Sequence, residues 1–125
     1  MYPVRMSVRA IRGAIQVDSN TVSAIHAGVK ELLEAVIFAN GLTPDEVISV
    51  ILTSTPDLTA DFPAAAAREI GFGAVPLLCA SEIDVPGALS RVIRVLLHCE
   101  TERSRAQIVH IYLKGAVALR RDLAQ

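Results

Sequence analysis

Arg91-Val92-Ile93-Arg94-Val95-Leu96-Leu97 decides how this chain is to be read. Period-two alternation puts Val92 and Leu96 beside Arg94 on one face and Ile93 and Val95 on the other, so the run predicts a strand with apolar neighbours on both sides. A guanidinium buried there needs an anion, because an unpaired buried charge costs several kcal/mol, comparable with the stability of a whole domain. That anion is either a carboxylate of the protein or a ligand. Arg12 poses the same question, since alternation groups it with Val8, Ala10 and Ala14. It either snorkels to water, meets an internal carboxylate or binds a ligand. Gly13, directly after it, allows close backbone approach by a ligand.

The flanking segments supply the fold class. Residues 7–17 predict a first strand, followed by Asp18-Ser19-Asn20-Thr21, rich in residues that cap helix N-termini. Val22, Ile25, Val29, Leu32, Leu33, Val36 and Ile37 then recur at helical spacing, and Asn40-Gly41 supplies the stop. Thr43-Pro44-Asp45-Glu46 has capping-box spacing and predicts one helical turn before a strand over 47–53. After a turn at Thr55-Pro56-Asp57-Leu58, residues 62–70 predict a short helix closed by Gly71, and residues 74–80 a further strand. Val85-Pro86-Gly87 breaks the chain before the strand of Arg94. A turn at 104–107 leads into a strand over 108–113, and residues 115–123 end as a short helix or turn. About five strands with two grouped helices indicate an α+β class built on a mixed sheet.

A chain of 125 residues is expected to be a single domain over 1–125, with residues 1–6 as a flexible leader and Met6 as an alternative start. Its net charge of -1 is scattered, which argues against nucleic-acid partners and a membrane-seeking basic face. Hydrophobic residues make up 52% and the mean hydropathy is +0.45, yet no apolar run is long enough for a membrane span. The surplus apolar surface suggests a subunit interface. Two cysteines, Cys79 and Cys99, without a Cys-x-x-Cys pair or a signal segment, point to a reducing cytoplasm. His98 beside Cys99 lacks a second ligand pair for zinc, so no metal is expected. His26 and His110 read as packing or surface residues rather than ligands.

Glu82 sits where a loop leaves an apolar strand, as a solvated acid, the internal partner of Arg94 or a ligand-binding group. Cys79 reads either as a small buried hydrophobe or as a weak thiol contact. Tyr112 packs or turns its hydroxyl into a cleft, while Arg68 and Arg120-Arg121 read as solvent-facing. There is no Gly-x-Ser-x-Gly elbow, phosphate loop or cofactor fingerprint, so an enzyme of this sequence works by binding and electrostatics.

Taken in order, Ile11-Arg12-Gly13-Ala14, Thr55-Pro56-Asp57-Leu58 with Phe62-Pro63-Ala64 and Arg68, Val75-Pro76 leading to Cys79 and Glu82, Arg91-Val92-Ile93-Arg94-Val95, and His110-Ile111-Tyr112-Leu113 with Leu119-Arg120 and Asp122-Leu123 resemble the monofunctional AroH-class chorismate mutases. The similarity runs from about Val8 to Leu123. It implies a mixed sheet with helices on one side, assembled as a pseudo-α/β-barrel homotrimer with active sites between subunits. It also implies a cofactor-free rearrangement of chorismate to prephenate, toward phenylalanine and tyrosine. Carried over residue by residue, the resemblance places Arg12, Cys79, Glu82, Arg94 and Tyr112 in the pocket, with Arg94, Glu82 and Arg12 as the catalytic set. Phe62, Ala64 and Arg68 would come from the neighbouring chain, with Leu77, Leu78, Leu119 and Arg120 nearby. The alternative on the same residues is a non-catalytic trimeric module that senses a small carboxylate.

Overall fold

The computed structural model describes residues 5–120. Residues 1–4 of the expected leader and residues 121–125, which include Arg121 and the end of the expected C-terminal turn, lie outside that range.

In β1 (Ser7–Gln16), Ile11, Gly13 and Ile15 turn inward while Ala10 and Arg12 turn outward, the alternation that a pleated strand imposes. β4 (Val92–Thr101) repeats it, with Ile93, Val95, Leu97 and Cys99 buried. The two strands pair antiparallel along their whole length, Ala14 opposite Arg94 and Arg12 opposite Leu96. β2 (Val47–Ser54) pairs antiparallel with the other edge of β4, with a bulge between Val47 and Ser49. β3 (Leu77–Ser81) extends the sheet in parallel from β2, and β5 (Ile111–Leu113) does so from β1. The sheet is therefore mixed, in the order β3-β2-β4-β1-β5.

Parallel neighbours need a crossover, and both crossovers carry helices. α1 (Val22–Ala39) follows β1 and begins at Thr21, whose hydroxyl accepts the Ala24 N–H at 3.1 Å. Its stripe Ile25, Val29, Leu32, Leu33 and Val36 is essentially fully buried. α2 (Pro63–Ala67) connects β2 to β3. Both helices and Phe72 pack on the face formed by Ile11, Ile15, Leu52, Ile93 and Leu97. On the other face, a smaller cluster of Ala14, Val92 and Ala116 with Leu89, Tyr112 and Leu119 covers one end only. The rest of that face is open, and Val8 and Leu78 stand there 59% and 61% exposed.

The structure corrects several expectations. Arg94 is not buried: 47% of its side chain is accessible, because among the described residues only the small cluster around Ala14 and Ala116 covers the second face. Arg12 is likewise exposed. The Cβ position missing at Gly13 is crowded by Val95, Leu32 and the Ile111 carbonyl, so this glycine serves close packing of β1 against its neighbours rather than ligand approach. The strand expected from residue 74 starts at Leu77, after a turn closed by the Val75 N–H and the Phe72 carbonyl at 3.1 Å. The strand expected from residue 108 starts at Ile111, because the Asn40 amide engages both backbone groups of Val109, at 2.8 and 2.9 Å. The second helix is shorter than expected, ending at Ala67 before a wide turn, Arg68–Phe72, in which Gly71 adopts φ 106°. β4 is longer, running on to Thr101.

His26 fastens α1 to the segments flanking α2. Its Nε2 lies 2.7 Å from Asp61 Oδ2 and its Nδ1 3.3 Å from Glu69 Oε2. The bond to Asp61 raises the pKa of His26, burial opposes it, and Glu69 adds to the rise, while the bond from His26 lowers the pKa of Asp61.

Two outcomes follow. Gly28→Ala, which helix propensity alone would favour by about 1 kcal/mol, should instead destabilise by about 1–3 kcal/mol in denaturant unfolding, because its new Cβ lands on Cγ1 of buried Val17. The raised pKa of His26 means its contribution is complete below its ordinary value near 6.5 and fades as pH rises through the folded value. His26→Ala should therefore lower the melting temperature more at about pH 6 than at about pH 9.

Candidate active site

Three segments converge on one carboxylate oxygen. Glu82 leaves the end of β3 with its N–H bonded to the Ser54 carbonyl at 2.9 Å, which fixes the start of the loop. Its Oε2 accepts the Thr53 hydroxyl at 2.7 Å and lies 3.2 Å from Nε of Arg94. Thr53 and Arg94 face each other across the β2–β4 ladder, so the three groups share the open face of the sheet. The glutamate is largely sheltered, at 17% exposure, whereas the arginine is half open. Such a pair adds only about 0–1 kcal/mol to stability. Its main effect is to fix the orientation of the guanidinium through Nε.

The entry to β4 is itself constrained. Arg91 holds φ 56°, a left-handed value uncommon outside glycine and asparagine. Its N–H donates to Asp57 Oδ2 at 2.9 Å and its guanidinium donates to the carbonyls of Val17 and Asp18 at 2.9 and 3.0 Å. These bonds hold the turn three residues before Arg94.

Arg94 and Thr53 stand where two clefts meet. One, of about 730 Å³, lies beneath the loop after β3 and is lined by Asp57, Glu82, Leu89 and Leu119 as well. The other, of about 300 Å³, is lined by Arg12, Ile51, Leu96 and Tyr112. Arg12 and Arg94 are therefore two cations on one open surface, with Tyr112 beside them. This surface can receive a small compound carrying more than one negative charge.

Not all of the other expected residues reach this junction. Register pairs Cys79 with Leu52, so its side chain turns to the helix-covered face, where Sγ accepts the Ala64 N–H at 3.3 Å. Cys79 and exposed Phe62 line a separate groove of about 460 Å³. Arg68 is exposed and close enough to Asp61 to help lower its pKa. Leu77 packs against the core, while Leu78 stands on the open face. Leu119 lines the larger cleft, and the charge of Arg120 is felt at His110. Within one chain, then, Arg12, Glu82, Arg94, Tyr112 and Leu119 come together, whereas Phe62, Ala64 and Arg68 do not join them. Thr53 escaped the sequence reading, although alternation with Ile51 along β2 was a usable signal.

Comparison with known proteins identifies the family. Residues 8–123 match the family model for chorismate mutase type I. The chorismate mutase AroH of Thermus thermophilus is 51% identical over 117 residues, covering 93% of this chain and 96% of that protein. Its counterpart in Bacillus subtilis (strain 168) is 43% identical over 120 residues, covering 95% and 94%. A solved chorismate mutase from Clostridium thermocellum superposes with a TM-score of 0.86 at 46% identity, over 88% of this chain and 98% of that one. A mixed five-stranded sheet, an arginine oriented by a glutamate on its open face and similarity over nearly the whole sequence lead to one conclusion: the chain belongs to the type I chorismate mutases.

Proposed function

We propose that the chain rearranges chorismate to prephenate, in the biosynthesis of phenylalanine and tyrosine, at the junction of the two clefts. The observation that carries the site assignment is the Thr53–Glu82–Arg94 array, which presents an oriented, permanently charged guanidinium on a concave surface. Chorismate is a dianion whose enolpyruvyl ether folds over its ring before the carbon–carbon bond forms and the ether carbon–oxygen bond breaks. Holding that compact conformer is a task of orientation. Charge grows on the ether oxygen in the transition state, so a fixed cation aimed there binds the transition state more tightly than the ground state. Arg94 takes this role, Arg12 and Tyr112 meet a carboxylate, and Glu82 accepts the ring hydroxyl while holding Arg94. The bond changes are intramolecular, and no protein group has to take a proton.

The remaining wall is supplied by a second copy. Val8, Leu78 and the neighbouring Ile51 and Leu96 leave an apolar area on the open face, which supports a homotrimer. Phe62, Ala64 and Arg68 of the adjacent subunit then close the cleft, with Leu78, Leu119 and Arg120 around it, and Leu77 and Cys79, which lie on the same side as Phe62 in their own chain, approach it from that adjacent subunit. Residues 8–123, the span of the family match, act as one domain. No described helix is long and apolar enough to cross a membrane, and free Cys79 and Cys99 suit a cytoplasmic enzyme that does not engage nucleic acid.

Loss of the ultraviolet absorbance of chorismate on mixing with purified protein measures the activity directly. Arg94→Ala should lower kcat by about 10²-fold or more, as removal of an oxyanion donor does, with folding intact. Arg94→Lys should restore little, because a point charge lacks the guanidinium geometry. Normal turnover in Arg94→Ala would defeat the assignment of this residue, and binding without turnover by the parent chain would favour a carboxylate sensor. Light scattering should give three times the 13.4 kDa chain mass, and a monomer in solution would sink the shared-site arrangement.

A further inference from the structure

Arg12 is placed by a bond that belongs to no strand ladder. The parallel pairing of β1 with β5 runs from Gly13 and Ile111 onward. One residue earlier, the Arg12 N–H donates to Nδ1 of the His110 side chain at 3.0 Å. A ring nitrogen that accepts this bond carries no proton, so the imidazole is neutral with its hydrogen on Nε2. Two residues along the same segment, Tyr112 lines the cleft that Arg12 lines. A single bond thus ties together two walls of that cleft.

The surroundings favour the neutral ring. Burial, and then the charges of Arg12 on β1 and of Arg120 after the C-terminal turn, push the pKa of His110 below its ordinary value. Arg9 on β1, His98 on β4 and Arg105 on the turn before β5 line the groove beside it, and no described carboxylate does. Protonation of Nδ1 would set one donor against another and break the link to Arg12.

We propose that His110 is a positioning residue, whose neutral imidazole serves as the hydrogen-bond acceptor that sets the backbone of Arg12 and so the reach of its guanidinium toward Arg94 and Tyr112. The consequence for catalysis rests on the function proposed above, whereas the tautomer and its link to Arg12 are read without substrate. Because Arg12 meets a carboxylate present in both ground and transition states, its displacement weakens substrate binding and appears mainly in KM.

The experiment compares the parent chain with His110→Asn, which retains an acceptor that does not titrate, and with His110→Ala, which retains none. Nitrogen NMR of the imidazole and of the Arg12 amide is followed from about pH 4.5 to 8, alongside chorismate kinetics. An unprotonated Nδ1 at neutral pH, with the Arg12 amide shifting through the same ionisation below that of free histidine, is the expected result. His110→Ala should raise KM about tenfold, the equivalent of one lost hydrogen bond, with kcat little changed. His110→Asn should restore most of that affinity and abolish the acid limb of kcat/KM that tracks the ring. His26, whose pKa is raised, titrates on the other side of the ordinary value and is thereby separated. A protonated Nδ1 at neutral pH, an Arg12 amide indifferent to the ring, or an unchanged acid limb in His110→Asn would each overturn the proposal. A parent chain inert toward chorismate would overturn the proposed function instead, leaving the NMR result to decide the role of His110.

Discussion

A sheet has two faces, and among the described residues both α-helices pack on the same one. α1 and α2 cover the face of Ile11, Ile15, Leu52, Ile93 and Leu97, where side chains of this size are worth about 1.5–3 kcal/mol each on burial. The opposite face is covered at one end by Ala116, Leu89 and Leu119. The two clefts that share Thr53 and Arg94 lie along the boundary where that partial cover stops. There Arg12 and Arg94 have apolar strand neighbours yet remain open to a ligand.

That boundary reconciles features that otherwise conflict. Arginine in the middle of a central strand is costly when both faces are sealed, and its cost falls when one face meets water or an anionic guest. Glu82 offsets part of the charge of Arg94 without closing it off, since the carboxylate is sheltered and the guanidinium half open. Thr53 donates to the same oxygen and limits its freedom. The strained turn at Arg91, held by Asp57 and the carbonyls of Val17 and Asp18, keeps β4 in place at that end. Such pre-set geometry suits a reaction accelerated by orientation and electrostatics.

The two histidines with shifted pKa values illustrate how local surroundings divide one residue type. His26 lies between two carboxylates and is drawn toward its charged form. His110 is partly buried beside Arg12 and Arg120, and both influences push its pKa down. The first fastens the helix layer, and the second adjoins the cleft. Burial leads the shift of His110 and the nearby arginines add to it, whereas at His26 the bond to Asp61 outweighs burial.

Much of this architecture is written in local patterns. The helical spacing of Ile25 to Val36, the Thr43–Glu46 capping box and the alternation through Arg94 each require only near neighbours, and each appears as read. The runs around Arg12, Thr55 to Arg68, Val75 to Glu82, Arg91 to Val95 and His110 to Leu123, taken in order, also indicated a family. Other outcomes depended on groups far apart in sequence. Asn40 claims the backbone of Val109 across 69 residues and delays β5, and His110 reaches the N–H of Arg12 across 98. Cys79 faces away from Arg94 because strand register, not residue type, sets the side of a sheet. The openness of Arg94 was likewise invisible in its own strand, because the accessibility of a strand residue is set by what packs above it, and here only the fold determines where that cover ends.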